Sequence, residues 1–119
     1  MRICEVEGCN QMGQKHHVVF RSQGGLDIEL NYKYLCPEHH NMGGNSPHKN
    51  RLVDLAYKRD VQNTLFSTIG QEEHTIEQIA NLIGYNKKRL EKRFKTVPQK
   101  AGKYETEDVV RKLMGGKLY

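Results

Sequence analysis

Residues 15–25 read KHHVVFRSQGG. Two adjacent histidines, His16 and His17, head a β-branched run that drops into the pair Gly24-Gly25. Neighbouring side chains on a strand point to opposite faces, so two rings placed side by side cannot do one job on one surface unless the backbone bends or the second strand closes around them. Working outward, HHVVF predicts a strand and RSQGGLDIEL a loop. The segment YKYL, Tyr32–Leu35, predicts a second short strand. CPEHHNM follows, with Pro37 in the first turn of a short helix and Gly43-Gly44 ending it. Strand, loop, strand and short helix occupy about 30 residues, the size of one supersecondary unit.

Further on, NSPHKN predicts a helix start, with Ser46 as N-cap and Pro47 at the first helical position. Leu52, Leu55, Ala56, Leu65 and Phe66 are read as its apolar face, and residues 67–71 as a boundary. Thr75 then caps a helix with the apolar stripe Ile76, Ile79, Ala80 and Ile83, and Gly84 breaks it. Asn86 caps a basic helix carrying Lys87, Lys88, Arg89, Lys92 and Arg93, with Leu90 and Phe94 turned inward. Helix, glycine turn and basic helix form a helix-turn-helix-like pattern. A last helix is capped by Thr106 and stops at Gly115-Gly116. The expectation is an α+β protein with two parts. Residues 1–66 form a small metal-stapled core, and residues 72–119 form a mainly helical, helix-turn-helix-like module.

Composition narrows the function classes. Only 36% of the 119 residues are hydrophobic and there is no Trp, which is thin for a self-sufficient core. No apolar run is long enough for a membrane span and no signal peptide heads the chain, so a cytoplasmic location is expected. Residues 1–85 hold 8 Lys and Arg against 10 Asp and Glu, net −2, whereas residues 86–119 hold 11 against 4, net +7. A basic C-terminal third points to a polyanion, most simply nucleic acid. Taken alone, such a charge run is more often a solvated helix face.

Cys4, Cys9 and Cys36 are an odd number of thiols in a chain with no secretion signal, which favours metal ligation over disulfides. Cys4-x4-Cys9 and Cys36-x2-His39 supply two ligand pairs, and Cys3His is a standard structural zinc set. With these assigned, His16, His17, Asn31, His40 and His48 remain in or near the same unit. Several histidines and an amide make a poor apolar core. They make a good site for a divalent ion and a general base.

The pattern HHVVFRSQGG…N…LCPEHH resembles the HNH endonucleases, the zinc-stapled branch of the ββα-metal nucleases, over residues 4–54. His16-His17, Asn31 and His40 take the places of the family's strand pair, its Asn and its helix residue. The resemblance implies that His17 is the general base, that the Asn31 carbonyl orients the His17 imidazole, and that His16 and His40 hold one catalytic divalent cation. His16 stands where Asp is commoner and His40 where Asn is commoner. Two imidazole ligands tilt metal preference from Mg toward Mn, Ni, Co or Zn. For His48 the alternatives are a third ligand, a phosphate contact and a helix-start surface residue. Arg21 is read either as a phosphate contact or as a solvated loop residue. Basic residues Lys87, Lys88, Arg89, Lys92 and Arg93 would contact DNA. Such a nuclease joined to a small DNA-binding module is similar to phage-encoded enzymes. The expected function is metal-dependent DNA cleavage. The alternative is a non-catalytic, zinc-stabilised DNA-binding protein on the same fold, which would have no use for His17 with Asn31.

Overall fold

A computed structural model describes residues 2–119. It is a small α+β fold with two small antiparallel sheets and several helices. Strands β1 (Gln14–His17) and β2 (Tyr32–Leu35) pair antiparallel, with His16 opposite Lys33 and His17 opposite Tyr32. The second strand keeps its predicted limits. The first is shorter than HHVVF and ends at His17. Beyond it, Val18 N bonds the Asn31 carbonyl and Val19 N bonds Asn31 Oδ1, so these two valines turn into the core. A Cβ on Gly25 would run into the Val19 carbonyl, which explains why a glycine follows the run.

Residues Glu38–Met42 form a π-helical turn between Pro37 and Gly43. The helix expected from Ser46 starts later. Ser46 is fully buried and its hydroxyl donates to the Gly43 carbonyl, closing a turn. Asn50 is the cap, accepting from Leu52 N (3.0 Å) and Val53 N (3.3 Å), and helix α1 runs over Arg51–Ile69. Its inward face also differs from expectation. Asp54, Lys58, Val61, Leu65 and Ile69 are buried, while Leu52 is 78% exposed. The burial of Asp54 and Lys58 turns a polar pair inward, which a hydropathy reading places outside.

After α1, strand β3 (His74–Thr75) pairs with β4 (Lys103–Tyr104), framing α2 (Ile76–Ile83) and α3 (Lys87–Arg93), with α4 (Thr106–Leu113) last. Here local signals hold. Thr75 and Gln78 exchange a capping box (3.2 and 2.9 Å), Gly84 ends α2, and Asn86 Oδ1 accepts from Arg89 N at 3.0 Å. Ile79, Ala80, Ile83, Leu90 and Phe94 are buried as read. Thr106 does not cap α4; Glu105 occupies that position, and the Thr106 hydroxyl donates to the Gly70 carbonyl.

The boundary expected at residues 67–71 falls partly inside α1, which continues to Ile69. One hydrophobic cluster crosses it. Val18, Val19, Leu26 and Ile28 from the hairpin loop join Leu65 and Ile69 of α1 and Ile79, Phe94, Val109 and Met114 beyond. A second, small cluster holds Cys4, Leu35 and Cys36, and Tyr57 of α1 packs against both. No helix among the described residues is long and apolar enough to cross a membrane.

Candidate metal centres

The N-terminal segment folds back on β2 through bonds from Cys4 N to Gln11 O (2.8 Å) and Glu5 N to Tyr34 O (2.8 Å). This carries Cys4 and Cys9 to the end of β2, where Cys36 directly follows the strand and His39 stands on the π-helical turn. The four ligand atoms lie within 4.8 Å of one another. His39 Nδ1 is 3.4 Å from Cys4 Sγ and 3.2 Å from Cys36 Sγ, and the Cys9 and Cys36 sulfurs are 3.8 Å apart. A tetrahedron with Zn–S of about 2.3 Å and Zn–N of about 2.0 Å has edges of about 3.8 Å between sulfurs and about 3.5 Å between sulfur and nitrogen. The donor set and its spacing therefore suit a metal ion and are consistent with structural zinc.

Electrostatics agree with a cation-binding role. Burial pushes the Cys4 thiol up, but backbone hydrogen bonds at Cys36 and Val6 and the neighbouring thiols outweigh it and bring the group below its ordinary value. For Cys9 the Gln11 backbone works downward, while burial and the other two thiols overcome it and raise the group. Crowded thiolates repel, and a dication relieves that repulsion. Cys36→Ser is expected to weaken zinc binding at least about tenfold and to lower the melting temperature, because bound metal adds directly to folding free energy. Zinc analysis by mass spectrometry and a thermal melt check this.

The second cluster is His16, His40 and His48, whose ligand atoms also lie within 4.8 Å of one another. Their ring centroids form a near-equilateral triangle of 4.9, 5.1 and 5.0 Å. His16 comes from β1, His40 from the π-helical turn and His48 from the turn before α1. The structure places the His48 ring beside the other two, the position a third ligand requires. His16 Nε2 is buried with no hydrogen-bond partner. An orphaned buried nitrogen is costly, and ligation by one ring nitrogen with the other held nearby is the common use of such a ring. Burial, reinforced by His40, His48 and Lys58, brings His16 down to about 3, so its ring is neutral in the physiological range. Burial and His48 also lower His40. The Gln14 side-chain oxygen Oε1 accepts from His40 Nδ1 at 2.9 Å, leaving the His40 Nε2 lone pair free. Gln14 had no role in the sequence reading. It lies 26 residues from its partner, and only the hairpin register joins them.

His17 faces away from this triad. Its Nε2–H donates to Asp27 Oδ1 at 2.6 Å, and its ring packs edge-on against Tyr32 at 5.0 Å. Arg21 donates to the same Asp27 oxygen, from Nη2 at 3.0 Å and Nε at 3.2 Å. The His17 hydrogen bond, with Arg21, holds the Asp27 carboxyl below its usual range against a small opposing effect of burial. The expected role of Asn31 is corrected here. Its side chain does not orient His17; it is buried and spent on backbone. Oδ1 accepts from Val19 N (2.8 Å), and Nδ2 donates to Val19 O (3.0 Å) and Leu26 O (3.1 Å). Asn31 pins the loop that carries Arg21 and Asp27, and Asp27 is the group that orients the imidazole. An Asp beside an Ile in a loop gave no sequence signal for this.

The two faces meet in that loop. Phe20 touches the His16 ring (5.8 Å) and the His48 ring (5.3 Å), and the next residue, Arg21, reaches the His17–Asp27 pair. Elsewhere, Lys87, Lys88, Arg89, Lys92 and Arg93 are all exposed on α3, and only Lys87 has an acidic partner among the described residues, Glu77 at 3.9 Å. A cavity of about 720 Å³ lies between the ends of α1 and α4, against Phe66, Gly70, Glu73 and Glu105, and belongs to neither centre. No protein family, curated protein or solved structure matches the chain.

Proposed function

We propose that this protein is a metal-dependent DNA endonuclease of the HNH type. The observation that carries the reading is the convergence of His16, His40 and His48 on one point, with the His17–Asp27 pair on the next strand position. A structural protein gains little from three imidazoles with one orphaned nitrogen. A divalent ion held by these three rings would supply Lewis acidity and charge neutralisation to a bound phosphate. The donor set is all imidazole, which suits Mn, Ni, Co or Zn better than Mg.

The chain's own residues supply the rest. With its Nε2 proton held by Asp27, His17 keeps Nδ1 as the basic atom, the one able to take a proton from water. The Asp27 carboxylate would stabilise the imidazolium that results. Arg21 is 69% exposed and can turn its guanidinium from Asp27 to a phosphate oxygen. Exposed Lys87, Lys88, Arg89, Lys92 and Arg93 would track the DNA backbone with salt-sensitive affinity. The Cys3His centre would carry structural zinc and no chemistry.

The test is nicking of supercoiled plasmid with added Mn or Mg, with EDTA as control. Metal-dependent nicking is expected, and His40→Ala is expected to lose most of it while keeping one zinc per chain and the wild-type circular dichroism. Salt-sensitive DNA binding with no cleavage under any divalent metal would favour the non-catalytic, zinc-stabilised DNA-binding protein instead. A His40→Ala protein lacking its structural zinc would require His39 and His40 to exchange roles.

A further inference from the structure

Behind the histidine triad lies a buried cation that the proposed chemistry does not use. The Lys58 side chain is 2% exposed, and its ammonium bonds Asp54 Oδ2 at 2.6 Å. Burying an ion pair costs desolvation, and apolar residues of similar volume at two inward positions of α1 would pack at least as well. The arrangement around Lys58 suggests what the pair does. Lys58 Nζ sits over the Phe20 ring, 4.3 Å from its centroid. That ring stacks nearly parallel on His48, at 16° and 5.3 Å, and meets His16 edge-on, at 73° and 5.8 Å. Phe20 thus walls two of the three imidazoles. His48 is itself exposed, on a turn outside any helix or strand. Among the described residues its ring neighbours are Phe20, His16 and His40.

We propose that Lys58, neutralised by Asp54, is a positioning residue for the histidine centre: its cation–π contact fixes the Phe20 ring, and Phe20 fixes His48 and His16 in the ligating arrangement. This rests on the reading that the triad holds a divalent cation. A cation over an aromatic face gains from desolvation, so the buried ammonium grips Phe20 more firmly than an exposed one would. Asp54 is needed for a second reason. An unneutralised ammonium beside the triad would repel the metal ion, and the pair presents no net charge to it. The contact also spans the chain, because Phe20 belongs to the hairpin loop and Lys58 to α1. Rigid support behind metal ligands commonly changes metal affinity 10- to 100-fold.

The experiment is a Co²⁺ titration of the full-length, zinc-loaded protein, followed by visible absorption. Four proteins are compared: wild type, His48→Ala, Phe20→Leu, and the double variant Lys58→Met with Asp54→Leu. Removing both charges together avoids stranding one of them in the core. The wild type is expected to take one Co²⁺ beyond its zinc. Phe20→Leu and the double variant are each expected to bind it about tenfold more weakly, with a band shifted toward that of His48→Ala and a melting temperature close to wild type. A folded double variant with wild-type affinity and band overturns the role of Lys58. Wild-type binding by Phe20→Leu overturns it as well, even where the double variant fails to fold. A wild-type protein that takes no second Co²⁺ overturns the metal reading of the triad, and this inference with it.

Discussion

His17→Ala is expected to reduce cleavage by about 100- to 10,000-fold, the usual contribution of a positioned general base, while leaving DNA affinity and zinc content unchanged. A general base acts on the transition state, so the loss should appear in the single-turnover rate and not in binding. The side chain is partly exposed at the end of β1, and its contacts are Asp27, Arg21 and the edge of Tyr32, so truncation opens no large cavity in the core. Asp27→Asn should give a smaller loss of the same kind. The amide keeps the place of the carboxylate but cannot stabilise the imidazolium. Cleavage by His17→Ala within a few-fold of wild type would remove His17 from the mechanism. Loss of DNA binding in the same variant would make it a binding residue instead.

Truncation after Gln71 is expected to abolish cooperative folding. The reading from sequence places a metal-stapled core before residue 72, whereas the larger of the two hydrophobic clusters runs across residues 67–71. Val18, Val19, Leu26 and Ile28 share their core with Ile79, Phe94, Val109, Val110, Leu113 and Met114, all beyond the cut. Each large apolar side chain contributes about 1.5–3 kcal/mol when fully buried, whereas a whole domain is stable by only about 5–15 kcal/mol. Losing six such residues, and uncovering those that packed on them, exceeds that margin. Two further contacts lock the halves together. A Cβ on Gly115 would run into the Gln23 carbonyl, so the chain after α4 packs directly on the hairpin loop. Gln62 of α1 and Tyr119 exchange side-chain to backbone hydrogen bonds at 2.7 and 3.0 Å. Near-ultraviolet circular dichroism and a thermal melt of the truncated protein decide the matter. A sharp transition with native near-ultraviolet bands would show that the first 71 residues fold alone, and would return the basic helices to the status of an appended module.

Some of this protein was legible in its sequence because the signals are local. The Thr75–Gln78 capping box, the Asn86 cap and the stop at Gly84 each depend on residues no more than a few positions apart. The β2 segment Tyr32–Leu35 carries its own pattern, and the four candidate Cys and His ligands come as two short-spaced pairs. Tertiary structure decided the rest. Which face of α1 turns inward depends on Asp54 and Lys58, and their burial makes sense only once Phe20, 38 residues earlier, lies over the ammonium. The partners of the site histidines are likewise distant in sequence: Gln14 reaches His40 through the hairpin register, and Asp27 reaches His17 because Asn31 ties the intervening loop to backbone. An N-cap is a contest among hydrogen bonds within one turn, so composition decides it. A buried polar group is satisfied only by what the whole fold brings to it, and neither propensity nor periodicity carries that information.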